Sequence, residues 1–260
     1  MLSLKYQIIA QKSVENLWNL LFELSSEERT RILNLLRSKK SRLSDVARLE
    51  KLTATETSRH LQRLGDAKLL QRDSDGLFTL TKYGELSLSM LEGLVFTSAN
   101  REYFMEHDAS VLPTAFIARL GDLNLCTFQK DFISTLAYDE EMFKAAEEYI
   151  WAISDQFHYS ARPLVAEKKK LGIDLRTILP EKIVLPPGFK PAEGVSRRLL
   201  PRVDFHLIVT DQEANFGLTY TDGKMDYAQF VSKDKRFREW CKDLFQYYWE
   251  RATPQVSLFD

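Results

Sequence analysis

The sequence predicts an α+β protein, with an N-terminal winged helix-turn-helix domain followed by a C-terminal α/β domain built on a mixed sheet. Three observations predict it. Leu52 to Leu80, LTATETSRHLQRLGDAKLLQRDSDGLFTL, places a short polar helix before two short strands joined at an Asp-Gly turn. Basic residues concentrate around that stretch: Arg29 to Arg72 holds twelve Lys and Arg against four Asp and Glu, a net of +8 in a chain whose total is −1. Beyond Leu112, apolar strand patterns alternate with helical ones, the signature of an α/β layer.

A length of 260 residues suffices for two domains, each with its own core, and 44% apolar with 28% charged residues is an ordinary soluble composition. No run approaches the roughly 18 apolar residues of a membrane span. The segment MLSLKYQIIAQKS carries interior charges and no small-residue cleavage site, so no signal peptide is expected. Cys126 and Cys241 lie far apart and form no CxxC pair, which fits reduced thiols in a cytoplasmic protein. The expected division is residues 1–100 for the winged helix and a long connecting or dimerisation helix, 101–111 for a junction, 112–252 for the α/β domain and 253–260 for a loose tail.

Residues 4–22, with Ile8, Ile9, Leu17, Leu20 and Leu21, read as an amphipathic helix. Ser25 or Ser26 then caps a helix that buries Ile32, Leu35 and Leu36 and carries Glu27 and Glu28 in its first turn. Ser44 is expected to cap a short helix with Val46 and Ala47 inward, and Thr53 or Thr55 the next, which runs to about Ala67.

That last helix divides by angle at about 100° per residue. Thr57, Leu61 and Leu64 share one face, whereas Thr55, Arg59, Gln62 and Arg63 cluster opposite, with Ser58 and Glu56 at the flanks. Arg bonds guanine edges bidentately, Gln bonds adenine, and Ser and Thr reach bases or phosphates, so this face suits a major groove. Arg42 and Ser44, at the start of the preceding helix, are placed for phosphate contact. Leu69–Arg72 and Leu77–Leu80 form the wing. Its Asp73 and Asp75 would repel phosphate, which leaves Arg72 as its one basic contact. From Thr81 a helix carrying Leu86, Leu88, Met90, Leu91, Leu94, Val95 and Phe96 is too apolar to stand alone; it calls for burial against a second subunit or within its own.

The polar stretch ANREYFMEHDAS reads as the junction, and a short helix after Pro113 as its far side. Strands are expected over Leu123–Phe128, Tyr149–Ser154, Ile173–Leu179, Arg197–Leu200, Asp204–Thr210 and Asn215–Thr221. Helices are expected over Glu140–Glu148, Ala161–Leu171 with Gly172 as its C′ residue, and Lys233–Ala252. Strand, helix and strand from Tyr149 to Leu179 imply a parallel crossover. Pro186, Pro187, Gly188 and Pro191 mark a loop to about Gly194. The aromatic stripe of the last helix, Phe237, Trp240, Phe245, Tyr248 and Trp249, reads as core.

SRHLQRL followed by a hairpin is similar to ArsR- and MarR-type repressors. HDASVLPTAFIARLGDL, GIDLRTILPE, VDFHLIVTDQEANFGL and FREWCKDLFQYYWERA together resemble the archaeal methanogenesis-regulator family of winged-helix proteins, over nearly the whole chain. The resemblance implies a DNA-binding transcription regulator with a C-terminal sensory or oligomerisation domain. It further implies that this domain is similar to the phospholipase-D-like ligand domains of archaeal sugar-responsive regulators. The chain departs from the common winged-helix pattern at Lys68, where many relatives carry Gly, and at Glu56, where a neutral polar residue is usual.

Enzymatic readings lack motifs. No histidine is followed by Lys two positions later, so the HxKxxxxD signature of phospholipase D is absent, as are GxxxxGK[ST], GxGxxG and GxSxG. Four scattered histidines offer no metal-ligand spacing. Arg197, Arg198, Arg202, Arg176 and Lys168–Lys170 read as a solvated face rather than an anion site. For a ligand pocket the combination of aromatic walls and polar heads picks Trp151, Tyr159, Arg162, His206 and Tyr220. The sequence thus leads to a non-enzymatic homodimer on double-stranded DNA, without cofactor or metal, with a small-molecule effector or a dimer-building role for its second domain. The alternative is a winged helix used as a protein- or RNA-interaction scaffold.

Overall fold

A computed structural model describes residues 4–157, 159–183, 188 and 190–254, with side chains from residue 14 onward. Ile8 and Ile9 as packing positions, His158, Pro186 and Pro187 in the loop, and the tail from Gln255 lie outside this description. The chain divides into two units, Met1–Leu91 and Glu92–Asp260.

In the first unit α1 spans Leu4–Leu24 and α2 Glu27–Ser38. Ser26 caps α2, accepting from the Arg29 amide, as the Ser-Glu-Glu pattern predicts. The next helix, α3 (Leu43–Glu50), is capped two residues earlier than expected: Arg42 is its N-cap residue, and Ser44 lies inside the first turn instead of capping it. It ends at Lys51, whose φ of 56° turns the chain into α4 (Ala54–Asp66). Thr53 and Glu56 close a reciprocal capping box on α4, the Thr53 side chain accepting from the Glu56 amide and Glu56 accepting from the Thr53 amide. Glu56, ambiguous in sequence, is thereby a helix-start residue.

Two strands complete the wing, β1 (Leu70–Arg72) and β2 (Phe78–Leu80), antiparallel with Leu70 opposite Leu80. Ser41 bridges to Phe78 and ties the hairpin to the start of α3. Ile32, Leu33, Leu36, Val46, Leu61, Leu64, Leu69, Leu70, Leu80 and Leu88 form the core beneath. Leu88 belongs to α5, Lys82–Ala99, an unbroken helix that carries the chain from one unit into the other. Gly84 sits so close to the Leu69 carbonyl that no Cβ fits there.

In the second unit the expected junction is not a linker. It forms α6 (Arg101–Glu106), with Tyr103 buried in the second core beside Phe96. A 3₁₀ turn at Ala109–Val111, α7 (Thr114–Ile117) and a second 3₁₀ turn at Leu120–Leu123 lead to β3 (Thr127–Gln129). The strand expected from Leu123 is therefore mostly turn. There follow α8 (Phe132–Ala145), β4 (Tyr149–Ile153), α9 (Arg162–Lys170), β5 (Asp174–Pro180), β6 (Ser196–Leu200), β7 (Phe205–Thr210), β8 (Ala214–Leu218), β9 (Gln229–Ser232), α10 (Lys235–Arg251) and β10 (Thr253–Pro254). Helix α8 begins eight residues before the expected start, β9 was not legible as a strand, and Thr253–Pro254, assigned to a loose tail, pairs with β6.

The strands make one mixed eight-stranded sheet in the order β10-β6-β5-β4-β7-β8-β9-β3. The neighbours β4, β5 and β6 are parallel, as the β4-α9-β5 crossover predicts; β7, β8 and β9 continue antiparallel. Each strand alternates its side chains between two layers. Trp151, Ile153, Leu207 and Val209 pack with Trp240, Leu244 and Phe245 of α10. Ile150, Ala152, Leu175 and Ile208 pack with Met142 and Phe143 of α8 and with Leu164 and Val165 of α9.

Candidate functional site

In the first unit, Arg42, Ser44, Ser58, Gln62 and Arg72 line one open cleft of about 630 Å³, floored by Leu43, Leu61 and Phe78. Three elements build it: the start of α3, the exposed face of α4 and the wing. Thr55 and Arg59 are exposed on the same helix, while Thr57, Leu61 and Leu64 are buried as the helical angles require. His60, also buried on α4, is a packing residue that the sequence reading passed over.

Arg63 does not join this group. Its Nε and Nη2 donate to Glu23 of α1 at 3.1 and 2.6 Å, and its guanidinium lies 5.1 Å over the Phe22 ring. The Arg63 hydrogen bond, with help from the Arg29 charge, holds the Glu23 carboxyl below its usual range. An Arg already bound bidentately to a carboxylate has spent the donor geometry that guanine recognition needs. The helical angle placed Arg63 near Arg59, but it could not show that α1 brings a carboxylate alongside.

Of the two wing aspartates Asp73 finds a structural use, whereas Asp75 lines the cleft as its one acidic residue among those described. Asp73 accepts from the amides of Asp75 and Leu77 at 3.0 and 2.9 Å, which folds the turn, and Gly76 takes the positive φ of 78°. Arg72 lies 5.5 Å over the Phe78 ring. Several charges of the basic segment are neutralised internally: Arg29 and Arg63 by Glu23, Arg31 by Glu27 and Glu50, Arg48 by Asp45. Among the described residues Lys39, Lys40, Arg42, Lys51, Arg59, Lys68 and Arg72 make no ion pair, so the cleft keeps the positive charge of Arg42 and Arg72.

In the second unit, strand alternation separates the five residues read as a pocket. Trp151 points to the α10 layer, stacked on Phe245 at 5.2 Å, and donates from Nε1 to Asp174. Tyr220 stacks on His107 at 4.6 Å and lines neither of the two cavities described next. His206, on the opposite register of β7, faces α8, and with Tyr159 it lines a cavity of about 290 Å³. Gly217 makes that position possible, because a Cβ there would collide with the His206 ring. Arg162 lines an adjoining cavity of about 80 Å³ with Arg197.

The floor of the larger cavity was missed by sequence reasoning. Asp139 of α8 is 4% exposed and accepts from Asn215 Nδ2 at 2.7 Å and Gln229 Nε2 at 3.1 Å. Burial pushes its carboxyl up to about 7, against the pull of those two amides. In sequence, Asp139 sits in YDEEMF and looks like part of a solvated helix face. The available signal was Asn215, a polar residue inside an apolar strand pattern, which buries only with a partner. Cys241 is wholly buried and Cys126 partly so, and burial raises both thiols.

Residues 192–251 match the family model of the middle domain of the methanogenesis regulatory protein FilR1, and over that span the resemblance read from the sequence is borne out. No curated protein matches the chain in sequence. Among solved structures, the archaeal chromatin protein TrmBL2 is similar with a TM-score of 0.42 and 16% identity, covering 88% of this chain and 94% of that one. Nuc, a phospholipase D family member from Salmonella typhimurium, is similar with a TM-score of 0.35 and 14% identity, covering 48% of this chain and 90% of its own. No helix among the described residues is long and apolar enough to cross a membrane.

Proposed function

We propose that this protein is a homodimeric, sequence-specific transcription regulator. The N-terminal unit binds double-stranded DNA, with α4 in the major groove, and the second unit senses a small molecule. The observation that carries the reading is the convergence of Arg42, Ser44, Ser58, Gln62 and Arg72 from three elements on one cleft. A reading helix with its start phosphate-anchored and a hairpin alongside is the docking geometry of a winged helix-turn-helix. The match of residues 192–251 to a regulatory protein's domain supports the same reading.

In this account Thr55, Ser58, Arg59 and Gln62 meet base edges, and Arg42, Ser44 and Arg72 meet phosphates. Arg63 is removed from the set, because Glu23 holds it. The dimer is supported by α5, where Tyr83, Leu86, Met90 and Leu94 form an exposed stripe at helical spacing.

The test is a gel-shift titration of the full chain against its own upstream DNA and against duplexes selected from random sequence. Specific binding, weakened by Arg59→Ala at a subset of base positions, is expected. Equal affinity for every duplex, or tighter binding to RNA of the same sequence, would replace this reading with that of an interaction scaffold.

A further inference from the structure

The smaller cavity of the second unit has a wall of two kinds. Its body is apolar, with Phe143, Ile150, Ala152, Val165, Leu175 and Val195. Its charged groups are Arg162, Arg176 and Arg197, with no Asp or Glu among the described lining residues. Arg176 is engaged elsewhere: it pairs with Asp174 at 2.9 Å and lies 4.6 Å over the Trp151 ring. Strand alternation on β6 sends Arg198 to the Trp249 ring and Arg197, opposite Thr177, into the cavity wall. Arg197 is thus not the solvated residue that its basic neighbours in sequence suggest.

Arg162 and Arg197 make no ion pair among the described residues. Each gives one hydrogen bond, to a backbone carbonyl: Arg162 Nε to Lys190 and Arg197 Nη2 to Ala192, both at 2.6 Å. A guanidinium carries five N–H donors, so most of their capacity is unspent. Arg197 Nε is enclosed and has no hydrogen-bond partner among the described residues. Burial lowers the Arg197 guanidinium from its ordinary range, yet arginine keeps its proton in proteins, so a positive charge stands at an apolar cavity without a countercharge.

The location suits an anion as well. The cavity lies where the chain leaves the carboxyl end of β4, at Ser154 and Gln156, a usual ligand position of open α/β sheets. Helix α9 begins at its edge with Arg162, and Ala161 before it supplies no side-chain acceptor to the helix start, where negative charge is favoured. A dry cavity of about 150 Å³ holds benzene. The 80 Å³ of this one leaves room for about half as much, three or four carbons.

We propose that this cavity binds a small carboxylate with a short aliphatic body, the carboxylate at Arg162 and Arg197 and the body among Ile150, Val165 and Leu175. The proposal rests on the reading of this unit as a sensor.

Isothermal titration of the full chain with linear carboxylates from acetate to octanoate tests it, with 1-pentanol and pentylamine as neutral and cationic probes of matched length. Affinity is expected to rise about fourfold per methylene from acetate to pentanoate and then to stop rising. The alcohol and the amine should bind about tenfold or more weaker than pentanoate. Arg162→Gln and Arg197→Gln should each weaken pentanoate by a similar factor. The proposal is overturned if no carboxylate binds, if affinity is indifferent to chain length, if either matched probe binds as tightly, or if either folded variant retains full affinity. Should Arg197→Gln fail to fold, Arg162→Gln at the exposed helix start and the probes on the unaltered protein still decide. A gel shift with and without pentanoate separates the two readings: binding at this site with no effect on DNA affinity removes the sensor role and leaves the site.

Discussion

Two arginines four residues apart on one helix have different fates. Arg59 is exposed and makes no ion pair among the described residues, whereas Arg63 is committed to Glu23. Arg59→Ala is therefore expected to cost about 1–3 kcal/mol of DNA-binding free energy, measured by gel shift. Arg63→Ala should leave DNA affinity within error and lower stability only slightly in denaturant unfolding, because the pair is partly solvent-exposed. An equal loss of DNA affinity in both variants would refute the distinction. Asp139 carries a pH signature. Its carboxyl is raised from an ordinary 3.8 to about 7, so the folded chain holds a proton that the unfolded chain has lost. Its contribution is fully present below about pH 4 and disappears as pH rises through about 7. In Asp139→Asn the decline of melting temperature between those limits should flatten relative to the unaltered chain; parallel profiles for the two would contradict the assignment.

At the level of elements, close approach of backbone sets the most sensitive position. Gly84 lets the start of α5 lie against the Leu69 carbonyl at the entrance to the wing. Gly84→Ala is expected to lower stability by about 1–3 kcal/mol in denaturant unfolding, since neither backbone segment can yield cheaply. What was legible in the sequence follows the same division between local and distant causes. Capping at Ser26 and Thr53, the Asp-Gly turn, the β4-α9-β5 crossover and the buried stripe of α10 depend on neighbours within a few residues, and all were readable. Register told more than the aromatic-and-polar pattern did: Trp151 and His206 both suit a ligand wall by chemistry, but strand alternation sends them to opposite layers. Asp139 and Gln229 meet across 90 residues, and β9 lacks both alternation and flanking turns, so neither was visible locally. Tyr103 and His107 read as linker because their partners, the Leu218 amide and Asp226, lie more than a hundred residues on.

For the molecule as a whole, the proposed dimer rests on the exposed stripe of α5. Replacing Leu86, Met90 and Leu94 together with Ser should convert a dimer to a monomer in analytical ultracentrifugation, with secondary structure by circular dichroism unchanged. A dimer that persists would move the interface elsewhere. The unbroken course of α5 also bears on how such a protein is assembled and inherited. Leu88 is embedded in one core and Phe96, two turns further on, in the other, with helix throughout. There is consequently no spacer at which recombination could exchange one half for that of another lineage without disturbing both. Every residue gained or lost there turns the following side chains by about 100°. A chimera joined inside α5 must therefore continue the helix across the join and keep Leu88 and Phe96 each in its own core.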